Sequence, residues 1–132
     1  MLLTRKAEFS ASHVCANPAW SPERNQEVYG ANANPNGHGH NYTVEVTVAG
    51  NPPAESGMVI DLKVLAEIIE QELIERVDHK NLNMDVDFMR GSIPTAENIA
   101  LWIWEQLKPS LPDLCQIEVF ETTDNCVIYR GV

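Results

Sequence analysis

Cationic side chains are scarce in this chain: nine lysines and arginines face nineteen aspartates and glutamates, a formal net charge of −10. No basic stripe is available to neutralise phosphates, which argues against nucleic acid or an anionic membrane as a partner. An anionic small substrate is not excluded, because local charge can differ from the net. Long apolar runs are missing too, and none approaches the roughly 18 residues that span a bilayer. The opening stretch MLLTRKAEF has neither the apolar core nor the small-residue cleavage site of a signal peptide, so the chain reads as cytoplasmic. Cysteine is rare and odd in number: Cys15, Cys115 and Cys126 show no CxxC spacing, which argues against a disulfide framework. Each reads as a small buried hydrophobe, with Cys15 set apart by lying two residues from His13.

What is present is ordinary for a globular protein. A hydrophobic content of 44% and a charged content of 21% argue against disorder. A length of 132 residues suffices for one domain, spanning 1–132, with a core of its own.

Residues 2–12 alternate loosely and predict a first strand ending at FSASH. Residues 14–37 are rich in Pro, Asn and Gly and read as a long loop, a length that usually signals function. From His40 to Val48 the alternation is strict, with His40, Tyr42, Val44, Val46 and Val48 on one face of a half-buried strand. Asp61 is a suitable N-cap for a helix in which Leu62, Leu65, Ile69, Leu73 and Val77 recur at helical spacing. Residues 78–88 read as a loop. Thr95 can cap a second helix carrying Ala96, Ile99, Ala100, Ile103 and Leu107 on one face, ending before Pro109. Residues 116–121 and 126–130 predict a hairpin around TTDN. The order β-β-α-α-β-β predicts an α+β domain, a four-stranded antiparallel sheet with both helices on one face. Its two open edges invite assembly into an oligomer.

Two of only four histidines, His38 and His40, stand one residue apart. Residues i and i+2 of a strand point to the same side, so the pair can converge on one metal ion. A catalytic zinc takes three protein ligands and keeps one position open, and His13, at the end of the first strand, is the natural third. Gly37 and Gly39 leave room for close backbone approach. Zinc fits better than copper or iron because no carboxylate or thiolate partner is obvious nearby in sequence. Cupin barrels also use H-x-H with a following carboxylate, here Glu45, but they are nearly all strand and this chain is about one-third helix. His79 follows Asp78, and an aspartate that holds an imidazole suits it to proton transfer. Glu121, near a strand end, can bind an N–C–N edge through two hydrogen bonds. Taken singly, H-x-H is equally a surface pair, Asp78–His79 a helix-end pair, and Glu121 a solvated turn residue. Trp102 and Trp104 read as packing residues.

Together, FSASH, NPNGHGHNY, VDHKNLN, PTAENIALWIWEQL and VFETTDNCVIYRG resemble the 6-pyruvoyl-tetrahydropterin synthase family, which includes the bacterial 6-carboxy-tetrahydropterin synthases of queuosine precursor synthesis. The resemblance covers nearly the whole chain, and the longer NPNGHGHNY form is more like the pyruvoyl branch. It implies a tunnelling-fold subunit in a homohexamer of two trimers, with sites at subunit interfaces. It implies that His13, His38 and His40 bind zinc, that Glu121 anchors a pterin with help from Thr95 and Glu97, and that Asp78 and His79 relay protons. The implied reaction converts 7,8-dihydroneopterin triphosphate to a 6-pyruvoyl or 6-carboxy tetrahydropterin with release of triphosphate, and Arg24, Lys80 and Arg90 are candidates to meet the phosphates.

One position departs from the pattern. Six residues before the first histidine of H-x-H, where this form of the family carries a catalytic cysteine, stands Asn32. An amide is no proton acceptor. Cys15 or Glu27 stands in for it, or His79 backed by Asp78 makes both transfers, or the chain cleaves the side chain to 6-hydroxymethyl-dihydropterin. A fourth reading is a pterin-binding protein without catalysis.

Overall fold

The computed structural model describes residues 1–132. Strands β1 (Leu2–His13) and β2 (His38–Ala49) form a long antiparallel ladder, continued on the far side of β2 by β4 (Leu114–Phe120) and then β5 (Cys126–Tyr129), both antiparallel. The sheet is not the expected four-stranded antiparallel one. A two-residue strand β3 (Lys80–Asn81) pairs parallel with β1, giving a mixed five-stranded sheet in the order β3-β1-β2-β4-β5. Two residues are too few to show any alternation, so β3 left no trace in the pattern.

The predicted loop 14–37 also holds structure: helix α1 (Pro22–Tyr29) and a 3₁₀ turn, Gly30–Ala33. Ser21 accepts from the Arg24 N–H and Pro22 opens the helix, a regular N-terminus. No apolar stripe announced it, because Asn25 is its one buried residue, held by the backbone of Asn17 through both ends of its amide. The segment 62–77 is helical as expected but not uniform: α2 (Leu62–Ile69) runs through a π turn (Glu70–Ile74) into α3 (Glu75–Val77). Helix α4 (Ala96–Leu107) starts where Thr95 accepts from the Asn98 N–H.

Both long helical segments cover one face of the sheet. Tyr42, Val44, Val46 and Val48 of β2, with Ile117 and Val119 of β4, pack against Leu65, Ile69, Leu73 and Val77 and against Ile99, Ala100, Ile103 and Leu107. Each such side chain contributes about 1.5–3 kcal/mol by leaving water, and truncating one, such as Ile103→Ala, costs about 2–5 kcal/mol. The helices thus cover this face of the sheet on either side of β2, and the rung that carries the histidines lies toward one end of it. Of the cysteines only Cys15 is buried; Cys115 is half-buried and Cys126 exposed, contrary to the expectation for all three. No helix is long and apolar enough to cross a membrane.

Candidate functional site

Strand pairing, rather than sequence distance, assembles the histidines. His13 stands directly opposite His38, and His40 opposite Ala11 in the next rung but one. Alternation then turns His13, His38, His40 and Tyr42 to the core side of the two strands. The ligand nitrogens of the three imidazoles lie within 4.8 Å of one another. Glycine permits this closeness: a Cβ on Gly39 would stand 3.2 Å from the Ala11 carbonyl, and one on Gly37, at φ +77, 3.4 Å from that of His13.

His13 is fully buried, and its Nδ1 lies 2.8 Å from the Pro94 carbonyl. A carbonyl only accepts, so Nδ1 carries the proton and Nε2 faces the other rings, 3.1 Å from His38 Nε2. Burial, with the neighbouring His38 and His40, lowers the His13 pKa to about 4, opposed by the Pro94 bond. The ring is a neutral ligand at pH 7. His38 Nδ1 and His40 Nε2 are buried without a hydrogen-bond partner. Glu121 Oε1 comes within 3.4 Å of His40 Nε2, near enough for attraction but too poorly aligned for a hydrogen bond. Buried imidazole nitrogens without partners are costly, and a shared cation is the simplest partner for such a set. The three histidines therefore fit a metal ion.

The structure also brings up groups that sequence distance had kept apart. The Glu121 carboxylate reaches His40, and Cys15 Sγ lies 3.9 Å from His13 Nδ1 and 3.7 Å from the Pro94 oxygen. The premise that no carboxylate or thiol lies near the triad does not hold. Burial first, and then the charges of Glu121 and Glu97, push the Cys15 thiol up to about 11, so it is protonated at neutral pH. Asn32 is exposed on the 3₁₀ turn and Glu27 exposed on α1.

Glu121 is the first residue after β4, and with Glu97 of the first turn of α4 it lines a cavity of about 270 Å³ that also takes in Thr122, Asn125 and Cys126. The Thr95 hydroxyl is engaged in capping α4 and does not line this cavity. Asp78 and His79 pair as anticipated, His79 Nδ1 to Asp78 Oδ2 at 3.0 Å. Asp78 Oδ1 accepts from the Ser10 N–H at 2.9 Å, and no hydrogen bond joins the pair to the triad or to Glu121. The Ser10 N–H first, and then His79, hold the Asp78 carboxyl below the usual carboxylate range. His79 has φ +61, a left-handed conformation, and its side chain is 82% exposed. It lines a polar groove of about 540 Å³ with Lys80, Ser10, Ser12 and Asn41, and His40 of the triad lines the same groove. Of the other cations, Arg24 lies over the Trp20 ring and Arg90 faces Asp87.

Sequence reasoning missed the Pro94 carbonyl and the Tyr42 hydroxyl. Tyr42 was detectable, since it continues the strand face of His38 and His40; Pro94, from a loop 81 residues beyond His13, was not.

Residues 2–132 match the family described as 6-pyruvoyl tetrahydropterin synthase. Among curated proteins, the chain is 40% identical over 132 residues to a 6-pyruvoyl tetrahydrobiopterin synthase of Dictyostelium discoideum, covering 99% of this chain and 96% of that one. A more distant relative, a dihydroneopterin monophosphate aldolase of Pyrococcus furiosus, is 33% identical over 107 residues, 81% of this chain and 75% of its own. Among solved structures, the 6-pyruvoyl tetrahydropterin synthase of Caenorhabditis elegans superposes with a TM-score of 0.94 at 36% identity, covering 100% of this chain and 96% of that one. The family match, the Dictyostelium relative and the Caenorhabditis structure each span nearly the whole chain, and the chain belongs to the 6-pyruvoyl tetrahydropterin synthase family.

Proposed function

We propose that this protein is a zinc-dependent lyase that converts 7,8-dihydroneopterin triphosphate to 6-pyruvoyl tetrahydropterin with release of triphosphate. The observation that carries the proposal is the convergence of His13, His38 and His40, with two buried nitrogens unpaired, beside the carboxylate of Glu121. Zinc held by the three imidazoles would supply Lewis acidity toward the substrate's side-chain hydroxyls. Glu121 would receive the pterin N–C–N edge through two hydrogen bonds, with Glu97 on the same cavity. A pterin held there would have its side chain near the histidines, since Glu121 Oε1 lies 3.4 Å from His40 Nε2. Oxidation of the side chain is matched by reduction of the ring, so no redox cofactor is required.

Proton transfer falls to His79, whose Nδ1 is taken by Asp78 and whose Nε2 remains free. Its exposure, on a groove that His40 also lines, supports a site completed by a neighbouring subunit, in a homohexamer of two trimers. Lys80, beside His79 in the groove, is the cation best placed to meet a phosphate.

A second reading is favoured by Asn32 and by the aldolase relative: cleavage of the side chain to 6-hydroxymethyl-dihydropterin. Zinc-loaded protein incubated with 7,8-dihydroneopterin triphosphate, with products identified by mass spectrometry and His38→Ala as control, separates them. A pyruvoyl or carboxy tetrahydropterin supports the synthase. Hydroxymethyl-dihydropterin replaces it with side-chain cleavage, and intact substrate with a binding protein.

A further inference from the structure

Tyr42 is fully buried in a face otherwise continued by Val44, Val46 and Val48. Its ring stacks on Phe9 with centroids 4.9 Å apart and an interplanar angle of 13°. It meets His13 and His40 edge-on, with centroids at 6.2 and 5.6 Å. A phenylalanine would supply all of that packing. The hydroxyl needs a separate reason, because burying one without a partner costs free energy.

Its one hydrogen-bond partner is His13 Nδ1, at 3.5 Å. That nitrogen already donates to the Pro94 oxygen at 2.8 Å, and the Tyr42 oxygen at 3.5 Å and Cys15 Sγ at 3.9 Å are its longer neighbours. Two acceptors on Nδ1–H fix the tautomer, limit rotation of the ring and raise the donor strength of Nε2, the nitrogen turned toward His38. A cation drawing electrons from Nε2 would make Nδ1–H more acidic and strengthen both bonds.

We infer that Tyr42 is a positioning residue for the three-histidine centre, its hydroxyl holding His13 in the orientation and tautomer that presents Nε2. The inference rests on the reading of that centre as a metal site.

Zinc affinity of wild type, Tyr42→Phe and Val44→Ala is measured by competition with a chromophoric chelator. The visible spectrum of the Co²⁺-loaded proteins and the melting temperature of the metal-free proteins are recorded beside it. Tyr42→Phe keeps the stacking on Phe9, so it is expected to melt at or above the wild-type temperature, to bind zinc about 10-fold more weakly and to shift the Co²⁺ bands. Val44→Ala, a cavity in the same strand, is expected to melt lower with its zinc affinity and spectrum unchanged. Tyr42→Phe within twofold of wild-type affinity and with an unshifted spectrum overturns the inference. So does a loss of affinity matched by a loss of metal-free stability. A wild type that binds neither zinc nor Co²⁺ overturns the reading of the triad itself, and the role of Tyr42 falls with it.

Discussion

The backbone N–H of Cys15 donates to the carbonyl of Asn32 at 2.9 Å, which ties the residue two beyond His13 to the turn that leads into His38. Asn32, the residue the sequence pattern singles out, is thus held against Cys15. That geometry makes Cys15 the natural stand-in base, and burial argues the opposite, because a thiol raised to about 11 is almost wholly protonated at pH 7.

Cys15→Ala is expected to reduce turnover of the triphosphate more than Cys115→Ala, through loss of packing against His13 and Pro94. The shape of its pH–rate profile should match wild type. A limb of the profile that disappears in Cys15→Ala would make Cys15 the base after all, and equal activities of the two variants would give it no part in the site.

The metal-free protein should lose stability as the medium turns acid. The folded pKa of His13 lies near 4, below the unfolded value near 6.5, so between these values the unfolded chain takes a proton that the folded one refuses. Stability is highest above about 6.5, falls toward 4, and is not lowered further by this group below that. Asp78, depressed in the fold, adds a contribution present above the ordinary carboxylate pKa and lost as the pH falls through its lower folded value. Urea midpoints at pH 7.5 and 5 should differ more for wild type than for His13→Gln. A difference of the same size in both would exclude His13 as the cause.

His79 holds a left-handed backbone, φ +61, that a side chain adopts at a cost of about 1–2 kcal/mol and glycine does not pay. His79→Gly should therefore fold with stability within about 1 kcal/mol of wild type, while losing turnover. Thermal melts and a product assay on one preparation test this. A variant that keeps full turnover would exclude His79 from proton transfer.

Gly39→Ala places a methyl 3.2 Å from the Ala11 carbonyl, in the ladder between His38 and His40. Forcing the strands apart there should cost about 1–3 kcal/mol and weaken zinc binding with it. Gly57→Ala meets no atom within 4 Å but strains a left-handed backbone at φ +70, so it is the control for a destabilising glycine replacement that leaves the metal site untouched. Zinc affinity in the two variants reads the difference.

Much of the site was legible because it obeys short-range rules. The period of two from His40 to Val48 follows from strand geometry, and it placed His38, His40 and Tyr42 on one face before any partner was known. Thr95 and Asp61 announced their helices because an N-cap oxygen satisfies donors only two or three residues away. The α1 helix stayed hidden for the converse reason: it buries almost nothing, so no periodicity marks it. Strand β3 hid in its brevity.

The sequence by itself determined which residues offer metal-ligating and proton-moving groups, since residue type and local alternation dictate donor set and facing. Only the tertiary structure decided how they meet. The register that sets His13 against His38, the Pro94 carbonyl and Tyr42 hydroxyl at His13 Nδ1, the burial that keeps His13 neutral and Cys15 protonated, and the groove that His79 shares with His40 all depend on packing between distant segments. No local rule spans such distances: strand register and desolvation exist only once the core has closed.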